Sequence, residues 1–326
     1  MDLPRALIGA VRAFADEWLD GRRDVCVALS GGPDSLALTA AAVHAGFEVS
    51  ALVVDHGLRE QSARVADGAA AAARSLGADA RVLPVLVGAD GGLEAAARAA
   101  RYEALDSARD GRPVLLGHTL DDQAETVLLG LGRGSGPASL SGMRPWRAPW
   151  GRPLLGMRRA DTVGACEQWG LAPAHDPHND DPRFTRVRVR SEVLPLLEEV
   201  LGGGVAPALA RTADLLAADD ELLSTLAGEL AAAAGASESA AAAGAGDRLC
   251  VAPLVAAPAA LRTRVLRRWL LDGGATEPSS RVVAAVDALV TDWRGRGPVA
   301  VGGDLAARLV VERDGDALRL RRQPRR

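Results

Sequence analysis

The chain has 326 residues, of which 48% are hydrophobic and 25% are charged, and its formal net charge is -4. This length suggests two domains of roughly 150 residues each, and the composition excludes a disordered chain and a fibre. All 38 basic residues are arginine, which excludes a Schiff-base lysine, a complete Walker A loop and the usual kinase active site. Any bound phosphate group must therefore be held by arginine, backbone N–H groups or a metal ion.

Cysteine usage and hydropathy indicate a cytoplasmic protein without a membrane segment. The three cysteines, Cys26, Cys166 and Cys250, are far apart and form neither a CxxC pair nor a metal-ligand spacing. Charged residues interrupt the apolar residues at the N-terminus, which argues against a signal peptide. No uninterrupted apolar run approaches the roughly 20 residues of a transmembrane helix.

Apolar runs alternate with helical patterns through the first part of the chain. The predicted helices cover residues 4–19, 36–45, 60–76 and 93–108, and the predicted strands cover residues 24–29, 49–54, 80–86 and 113–117. This alternation predicts right-handed βαβ units and an α/β fold with a doubly wound, Rossmann-like parallel sheet. In such sheets ligands bind at the carboxyl ends of the strands. Polar clusters at residues 30–35, 55–59 and 118–126 follow predicted strands, so we expect them to share one site.

The composition of the chain changes near residue 200. Three glycines interrupt the chain at residues 202–204, and residues 231–246 are nearly all Ala and Gly. That second segment predicts either a poorly packed helix end or a flexible tether. The other predicted elements are helices over residues 205–230, 258–271 and 279–290 and a terminal hairpin around Asp314-Gly315. We therefore predict a catalytic domain over residues 1–200 and a smaller, mostly helical accessory domain over residues 201–326.

A predicted strand and the next predicted helix are joined by the hexapeptide Ser30-Gly31-Gly32-Pro33-Asp34-Ser35. Its glycines allow backbone N–H groups to turn toward an anion, the serines add hydroxyl donors, and the helix contributes the positive end of its dipole. The alternative is a plain strand-to-helix turn with Asp34 or Ser35 as N-cap. The complete Ser-Gly-Gly-x-Asp-Ser string favours phosphate binding over that alternative.

This string resembles the signature of the PP-loop family of ATP pyrophosphatases, which cleave ATP to AMP and pyrophosphate. The resemblance implies that the whole hexapeptide binds ATP as co-substrate. It also implies that Asp34 holds Mg²⁺ or positions the α-phosphate, because this ion prefers oxygen ligands.

The motifs that follow this loop identify a branch of that family. In chain order they are Asp55-His56-Gly57-Leu58-Arg59, Glu94 to Tyr102, Gly117 to Thr126, Arg133-Gly134-Ser135-Gly136, Leu140 to Met143, Arg152-Pro153-Leu154-Leu155, Asp176 to Asp180, Arg186 to Arg190 and Val193-Leu194-Pro195. Over roughly residues 20–200 this ordered set closely resembles the tRNA(Ile)-lysidine synthase family in its shorter architecture. Two positions depart from the family pattern, because His178 stands where serine is frequent and Val187 where asparagine is frequent.

The resemblance implies a two-step ligation. ATP adenylates the C2 oxygen of the wobble cytidine of tRNA(Ile), and the ε-amine of free L-lysine then attacks C2 and displaces AMP. Such a reaction needs acidic groups that bind an ammonium and accept its proton. The residues expected to be catalytic are Asp34, His118, Asp121, Asp122 and Glu125. If a helix begins near Asp121, then Asp121 and Glu125 lie one turn apart, although both aspartates could merely cap that helix.

Further residues are expected to bind ATP or RNA. The resemblance places Val54, His56, Arg98 and Arg101 at ATP, although Arg98 could equally pair with Glu94. Between Thr126 and Ala160 the chain has six arginines, two tryptophans and no acidic residue. Such segments suit phosphate contacts and base stacking, while a solvated basic face is the alternative for each one alone. The residues expected to contact the tRNA(Ile) anticodon loop are Arg133, Arg144, Arg147, Arg183, Arg186, Arg188 and Arg190.

Three other functions stay open on the sequence alone. A PP-loop thiolation enzyme acting on tRNA would generally carry sulfur on cysteine pairs, which this chain lacks. A small-metabolite adenylating ligase would leave the arginine segments without a role. A non-catalytic nucleotide- or RNA-binding module would make the acidic cluster superfluous. The oligomeric state, monomer or homodimer, is also left open.

Overall fold

The structure, a computed structural model, describes residues 2–57, 62–86, 88, 93–134, 136–174, 181–235, 247–295, 297–303 and 307–324, with the backbone alone at residues 93–95. The chain forms two compact units, Met1–Ala217 and Ala218–Arg326. The division falls inside a long helix rather than at the glycines at residues 202–204. The helix's first turns belong to the first unit, because Ala206 is buried there beside Ala124 and Val189.

The first unit alternates helices and strands up to the glycines. Its elements in chain order are α1 (Leu3–Trp18), β1 (Asp24–Ala28), α2 (Pro33–His44), β2 (Glu48–Asp55), α3 (Ser62–Ser75), β3 (Asp79–Pro84), α4 (Leu93–Ala108), β4 (Val114–Leu116), α5 (Leu120–Gly132), α6 (Pro137–Leu140), β5 (Trp146–Arg147), β6 (Trp150–Gly151), α7 (Arg159–Gln168), α8 (Thr185–Arg188), a π-helical turn (Val189–Val193), α9 (Leu194–Val200) and the start of α10 (Val205–Gly235). The helices and strands predicted before residue 118 all occur, with small differences at their ends.

The six strands of this unit form one sheet in the order β3-β2-β1-β4-β6-β5. Neighbouring strands are parallel except for β5, which is antiparallel to β6. Successive residues of β1 enter opposite cores: Val25 and Val27 pack with α1, α2 and α7, whereas Cys26 and Ala28 pack with α4. Because apolar residues cover both faces, β1 is a continuous apolar run rather than an alternating one. The predicted doubly wound α/β fold is confirmed.

The second unit contains helices and a small antiparallel sheet. Besides the end of α10, its elements are β7 (Arg248–Cys250), α11 (Val251–Ala256), α12 (Ala259–Asp272), α13 (Ser280–Thr291), β8 (Val299–Gly303), β9 (Ala307–Asp314) and β10 (Ala317–Pro324). The strand order is β7-β10-β9-β8. The predicted hairpin is confirmed as β9 and β10, whereas β7 and β8 were not predicted. Two glycines and a register shift between Ala300 and Gly302 hide the strand pattern of β8. Residues 236–246 of the Ala/Gly-rich segment lie outside the described residues.

No single helix among the residues with a described backbone is long and apolar enough to cross a membrane. One bent pair of helical segments, Thr185–Val200 and Val205–Gly235, meets the length and composition criteria together.

The sheet order positions a site. From β1 the chain continues through β2 to β3 on one side of the sheet, and it then crosses to β4 on the other side of β1. The boundary between β1 and β4 is therefore a topological switch point. The carboxyl ends of β1, β2, β4 and β6 lie along the same edge because these strands are parallel. The loops that follow these four strands therefore meet there.

Candidate active site

The loop after β1 is tightly folded and leaves backbone donors at the start of α2. Gly31 has a φ of +85°, which glycine adopts readily. The Ser30 amide donates to Ser35 Oγ at 3.1 Å, and the two serine hydroxyls are 3.0 Å apart. Gly32 is the N-cap of α2 and provides no side-chain acceptor for the first turn. The alternative with Asp34 or Ser35 as N-cap is therefore wrong, and the N–H groups at this helix start can face an anion.

Gly117, which follows β4, sets the space available to this loop. A Cβ at Gly117 would lie 2.9 Å from backbone atoms of Asp34 and Ser35. Real side chains do not approach a backbone so closely, and backbone atoms cannot rotate out of the way. Sequence reasoning did not assign Gly117 a role, because a glycine at a strand end is compatible with any turn.

We expect Gly117→Ala to displace the phosphate-binding loop. A misplacement of about 1 Å can lower the rate of an enzyme on the order of 100-fold. We expect an effect of roughly that size on ATP affinity, measured by titration calorimetry. Gly68→Ala is the matched control, because Gly68 is exposed in α3 and an added Cβ there meets no atom within 4 Å. Wild-type ATP affinity in Gly117→Ala would show that the loop tolerates the shift.

Asp34, in the first turn of α2, is held by residues of α7. The Thr162 hydroxyl donates to Oδ1 of Asp34, and Nη1 of Arg159 lies 3.2 Å from Oδ2. Burial raises the pKa of Asp34, and this effect outweighs the opposing charge of Arg159. Sequence reasoning missed Thr162 and counted Arg159 only within a basic segment. Contacts across more than a hundred residues leave no local signal.

Among the described side chains, no group of three or more His, Cys, Asp or Glu residues could hold a metal ion. Mg²⁺ commonly keeps several waters and binds through one or two carboxylates together with substrate phosphates. Asp34 alone, beside a phosphate-binding loop, is compatible with that mode of binding. A metal site built entirely from protein side chains would need more ligands than Asp34 alone provides.

The acidic residues at the start of α5 have separate partners. Asp122 forms a capping box with Thr119, accepting from the Thr119 amide and hydroxyl at 2.9 Å each. Oδ2 of Asp122 thus takes part in capping the helix, while Oδ1 faces other groups. Burial acts to raise the pKa of Asp122, but the Thr119 hydrogen bonds, Arg186 and His118 together lower it. Asp121 instead reaches α7, where the Arg159 amide donates to it at 2.7 Å and the Arg158 guanidinium at 2.9 Å.

Glu125 is fully buried and lies between two arginines that were expected to bind RNA. Nε of Arg186 and Nε of Arg190 each lie 2.6 Å from a different carboxylate oxygen of Glu125. Both guanidinium groups also approach Oδ1 of Asp122, at 3.5 Å and 3.4 Å. The structure thus places Arg186 and Arg190 inside the acidic cluster, and any RNA contact of theirs must coexist with these ion pairs.

The other residues expected at RNA lie in different settings. Arg133 and Arg147 are exposed. Arg188 pairs with Glu192 at 2.8 Å, and Arg183 pairs with Asp181 at 2.7 Å, both with largely exposed guanidinium groups. Arg144 donates to the Ala217 carbonyl at 2.9 Å. The motif residues Leu58, Arg59, Ser135 and Asp176–Asp180 lie outside the described residues.

The expected ATP contacts beyond the loop lie beside α4. Arg98 stacks over the Tyr102 ring at 5.1 Å and donates to its hydroxyl at 3.4 Å. The side chain of Glu94, its alternative partner, lies outside the described residues. His56 follows β2, next to the half-buried Val54, and the charge of Arg101 acts on it. The positive charge of Arg101 therefore lowers the pKa of His56, and Arg98 lies one helical turn before Tyr102.

Burial disfavours the protonated form of both histidines of this edge, as the pKa of each shows. Burial, aided by Arg152 and Arg101 and opposed by Asp122, lowers the pKa of His118 to about 3. Burial, followed by the charge of Arg101, also lowers the pKa of His56. Nδ1 of each ring is buried without a hydrogen-bond partner in the structure. Each imidazole therefore retains an unused polar atom at the carboxyl edge of the sheet.

Comparison with known proteins agrees with this geometry. A family model described as the PP-loop domain matches residues 8–197, and one described as the TilS substrate binding domain matches residues 249–318. A tRNA(Ile)-lysidine synthase from Nocardia farcinica is 61% identical over 97% of this chain and 98% of its own length. One from Mycobacterium tuberculosis is 56% identical over 98% of this chain and 99% of its own length. The chain belongs to the tRNA(Ile)-lysidine synthase family.

A solved structure of a different enzyme shares this fold. The U34-tRNA thiolase NcsA from Methanococcus maripaludis, solved with its 4Fe-4S cluster, superposes with a TM-score of 0.54 and 18% identity over 66% of this chain and 80% of that chain. At this identity the likeness shows the PP-loop fold alone.

The tRNA(Ile)-lysidine synthase family consists of ligase-type enzymes whose PP-loop domain uses ATP. Membership therefore favours the main interpretation over the thiolation, metabolite-ligase and non-catalytic alternatives.

Proposed function

We propose that this chain ligates L-lysine to C2 of the wobble cytidine of tRNA(Ile), through an adenylated cytidine and with Mg²⁺ as the metal ion. One observation carries the proposal. Arg159 contacts both the phosphate-binding loop and the acidic residues of α5. Its guanidinium pairs with Asp34 at 3.2 Å, and its amide donates to Asp121 at 2.7 Å. A group activated at the phosphate-binding loop would thus lie next to carboxylates that suit an ammonium group.

The first step joins cytidine to AMP. The C2 oxygen attacks the α-phosphorus of ATP, the bond to the β-phosphate oxygen breaks, and pyrophosphate leaves. The N–H groups at the start of α2 and the Ser30 hydroxyl hold the phosphate oxygens, and Ser35 fixes the loop by donating its hydroxyl to the Gly32 carbonyl. Mg²⁺ at Asp34 supplies charge neutralisation on those oxygens when bound.

The second step joins lysine to the base. The ε-nitrogen attacks C2, the C2–O bond breaks, AMP leaves with that oxygen, and the surplus amine proton passes to a carboxylate or to water. A lowered pKa keeps Asp122 ionised at neutral pH. This property suits a carboxylate that binds the ammonium rather than one that removes its proton. Asp121 has the more exposed side chain of the two, 20% against 12%, and is the better placed to receive the proton.

The wider assignments follow from the same proposal. We assign catalysis to residues 1–200 and tRNA binding to residues 201–326, the second of which includes the part matched by the TilS substrate binding domain. Four of the arginines expected at RNA are exposed and therefore the most accessible to it: Arg133, Arg147, Arg183 and Arg188. We place the protein in the cytoplasm with no membrane partner. A homodimer is compatible with these assignments and is not required by them.

Lysine transfer to tRNA tests the proposal. The purified chain with ATP, Mg²⁺, L-lysine and unmodified tRNA(Ile) should release AMP and pyrophosphate in equal amounts. Mass spectrometry should show the anticodon loop heavier by one lysine less one water. The matched control is the same tRNA with uridine at the wobble position, which should gain no mass. If neither AMP nor a mass gain appears with the cytidine tRNA, the proposal fails.

A further inference from the structure

The side chain of Gln123, near the start of α5, is buried and binds the backbone of a residue 20 positions later in the chain. Its Nε2 donates to the Met143 carbonyl at 3.0 Å, and its Oε1 accepts from the Met143 amide at 2.7 Å. Sequence reasoning assigned neither residue a role, although both lie in the motifs that resemble the family. The two hydrogen bonds hold Met143 at one point along α5.

The chain around Met143 lies directly against α5, and glycines on both sides make this approach possible. Gly142 has a φ of +61°, and a Cβ there would lie 2.6 Å from Oε1 of Gln123. Further along the helix, a Cβ at Gly130 would lie 2.7 Å from the Ser139 carbonyl oxygen. A larger residue at either glycine would push the chain away from α5, so its position depends on this close contact.

A buried amide attaches a segment to a helix only when its geometry is right. An apolar side chain would do so without needing partners, whereas a buried amide costs free energy unless it is hydrogen-bonded. What Gln123 adds is a defined register. If the segment moved by one residue along α5, both hydrogen bonds to Met143 would break and the buried amide would lose its partners. The contact therefore specifies a position and does more than attach the segment.

The segment that Gln123 holds comprises residues 136–145 and leads into β5. It carries Arg144, and the exposed Arg147 follows it in β5, so it places two of the arginines expected at RNA. Two residues after Gln123 on the same helix, Glu125 belongs to the acidic cluster. Gln123 therefore determines where these arginines lie relative to the carboxylates of α5.

We propose that Gln123 is a positioning residue for the tRNA substrate. By holding Met143 it sets the place of residues 136–145, and hence of Arg144 and Arg147, relative to the acidic cluster. An anticodon loop bound by these arginines then presents its wobble base to the carboxylates of α5. The identity of the RNA rests on the proposed function, whereas the contact between Gln123 and Met143 is a property of the fold.

Filter binding of unmodified tRNA(Ile), without ATP or lysine, tests this role. Gln123→Met keeps the length of the side chain and removes both hydrogen bonds. Because the segment then loses its register, the dissociation constant for tRNA should rise by about 10-fold at a temperature at which the variant is folded. ATP affinity, measured by titration calorimetry, should stay near the wild-type value, since Asp34 of the phosphate-binding loop is held by α7 instead.

A second variant disturbs the same contact from the other side. Gly142→Ala leaves Gln123 in place but puts a Cβ 2.6 Å from its Oε1, and it should weaken tRNA binding in the same way. Gly132→Ala is the matched control. Gly132 is exposed at the end of α5, and an added Cβ there meets no atom within 4 Å, so this variant should bind tRNA as the wild type does.

The kinetics of lysine transfer distinguish positioning from a merely structural role. In Gln123→Met the KM for tRNA should rise while kcat at saturating tRNA stays near the wild-type value, as expected when binding alone is weakened. Wild-type tRNA affinity in both variants would overturn the proposal. An equal loss of tRNA and ATP affinity would also overturn it, because a contact that only stabilises the fold gives that result. If the wild type transfers no lysine while tRNA binding depends on Gln123, the proposed function falls and the positioning role stands.

Discussion

Glu125→Ala should lower the free energy of unfolding by about 2–3 kcal/mol and lysine transfer by on the order of 100-fold. Glu125 is fully buried and accepts from Arg186 and Arg190 at 2.6 Å each. Removing one partner of a buried ion pair leaves an uncompensated charge and costs about 3–5 kcal/mol. The two arginine side chains are 35% and 28% exposed, so water can partly replace the lost carboxylate, which places the expected value below that range.

The loss of activity follows from position. Glu125 anchors the segment that carries Arg186 and Arg190, and both arginines also contact Asp122. Without Glu125 these guanidinium groups would turn to Asp122 and compete with any ammonium there. The activity should therefore fall under conditions in which the variant remains folded. Urea unfolding and AMP release at low temperature measure the two effects separately.

Glu192→Gln is the matched control for this prediction. Glu192 also pairs with an arginine of the same segment, Arg188 at 2.8 Å, but both side chains of that pair are about half exposed. Ion pairs in water contribute little, because solvation of the separate charges replaces them. This variant should unfold and react as the wild type does. If Glu125→Ala behaved like Glu192→Gln, the buried pairs would have no structural or functional weight.

The fold could be predicted because its signals are local. The predicted strands of the large sheet, β1 to β4, are short and mostly apolar runs, and each predicted helix shows its own periodicity, whereas the two-residue strands β5 and β6 carry no such signal and were not predicted. The hexapeptide Ser30–Ser35 was recognisable because its chemistry is contained in consecutive residues. The capping role of Asp122 was also foreseen, since its partner Thr119 is three residues away. The edge strand β8 escaped prediction because glycines replace the side chains that would have marked it.

The site's internal contacts could not be predicted, because they depend on burial and on distant residues. An arginine-rich segment at residues 186–190 is typical of an RNA contact as long as its environment is unknown. The structure shows that Arg186 and Arg190 face a buried carboxylate more than sixty residues earlier in the chain. Arg188, between them, points to another partner and is exposed. Consecutive residues of a helix project in different directions, so these arginines cannot all face the same partner. Only the fold determines which of them faces inward.

Asp34→Asn should reduce lysine transfer by about 100- to 1,000-fold and leave the free energy of unfolding within about 1 kcal/mol of the wild type. Three effects determine the stability. Asparagine keeps an acceptor for the Thr162 hydroxyl, but it weakens the interactions with Arg159 and with the start of α2. Against these losses, a buried carboxylate carries a desolvation cost that the amide lacks.

The direction of the pKa shift decides between these effects. The raised pKa of Asp34 shows that desolvation outweighs its favourable partners in this structure. A neutral side chain of the same shape should therefore be tolerated in the absence of ligand. The charge would then serve the reaction and not the fold. Residues that lower stability and are needed for activity are typical of active sites.

Two measurements separate these roles of Asp34. Mg²⁺ should strengthen ATP binding to the wild type and have little effect on ATP binding to Asp34→Asn, since the variant lacks the ionised oxygen ligand. Asp67→Asn, at an exposed position of α3, should match the wild type in ATP binding, AMP release and urea unfolding. A variant at Asp34 that transferred lysine within about 10-fold of the wild-type rate would remove this residue from the metal and α-phosphate site. One that unfolded more easily by over 2 kcal/mol would show that Asp34 and Arg159 are primarily a structural pair, with the loop held in place by their charge.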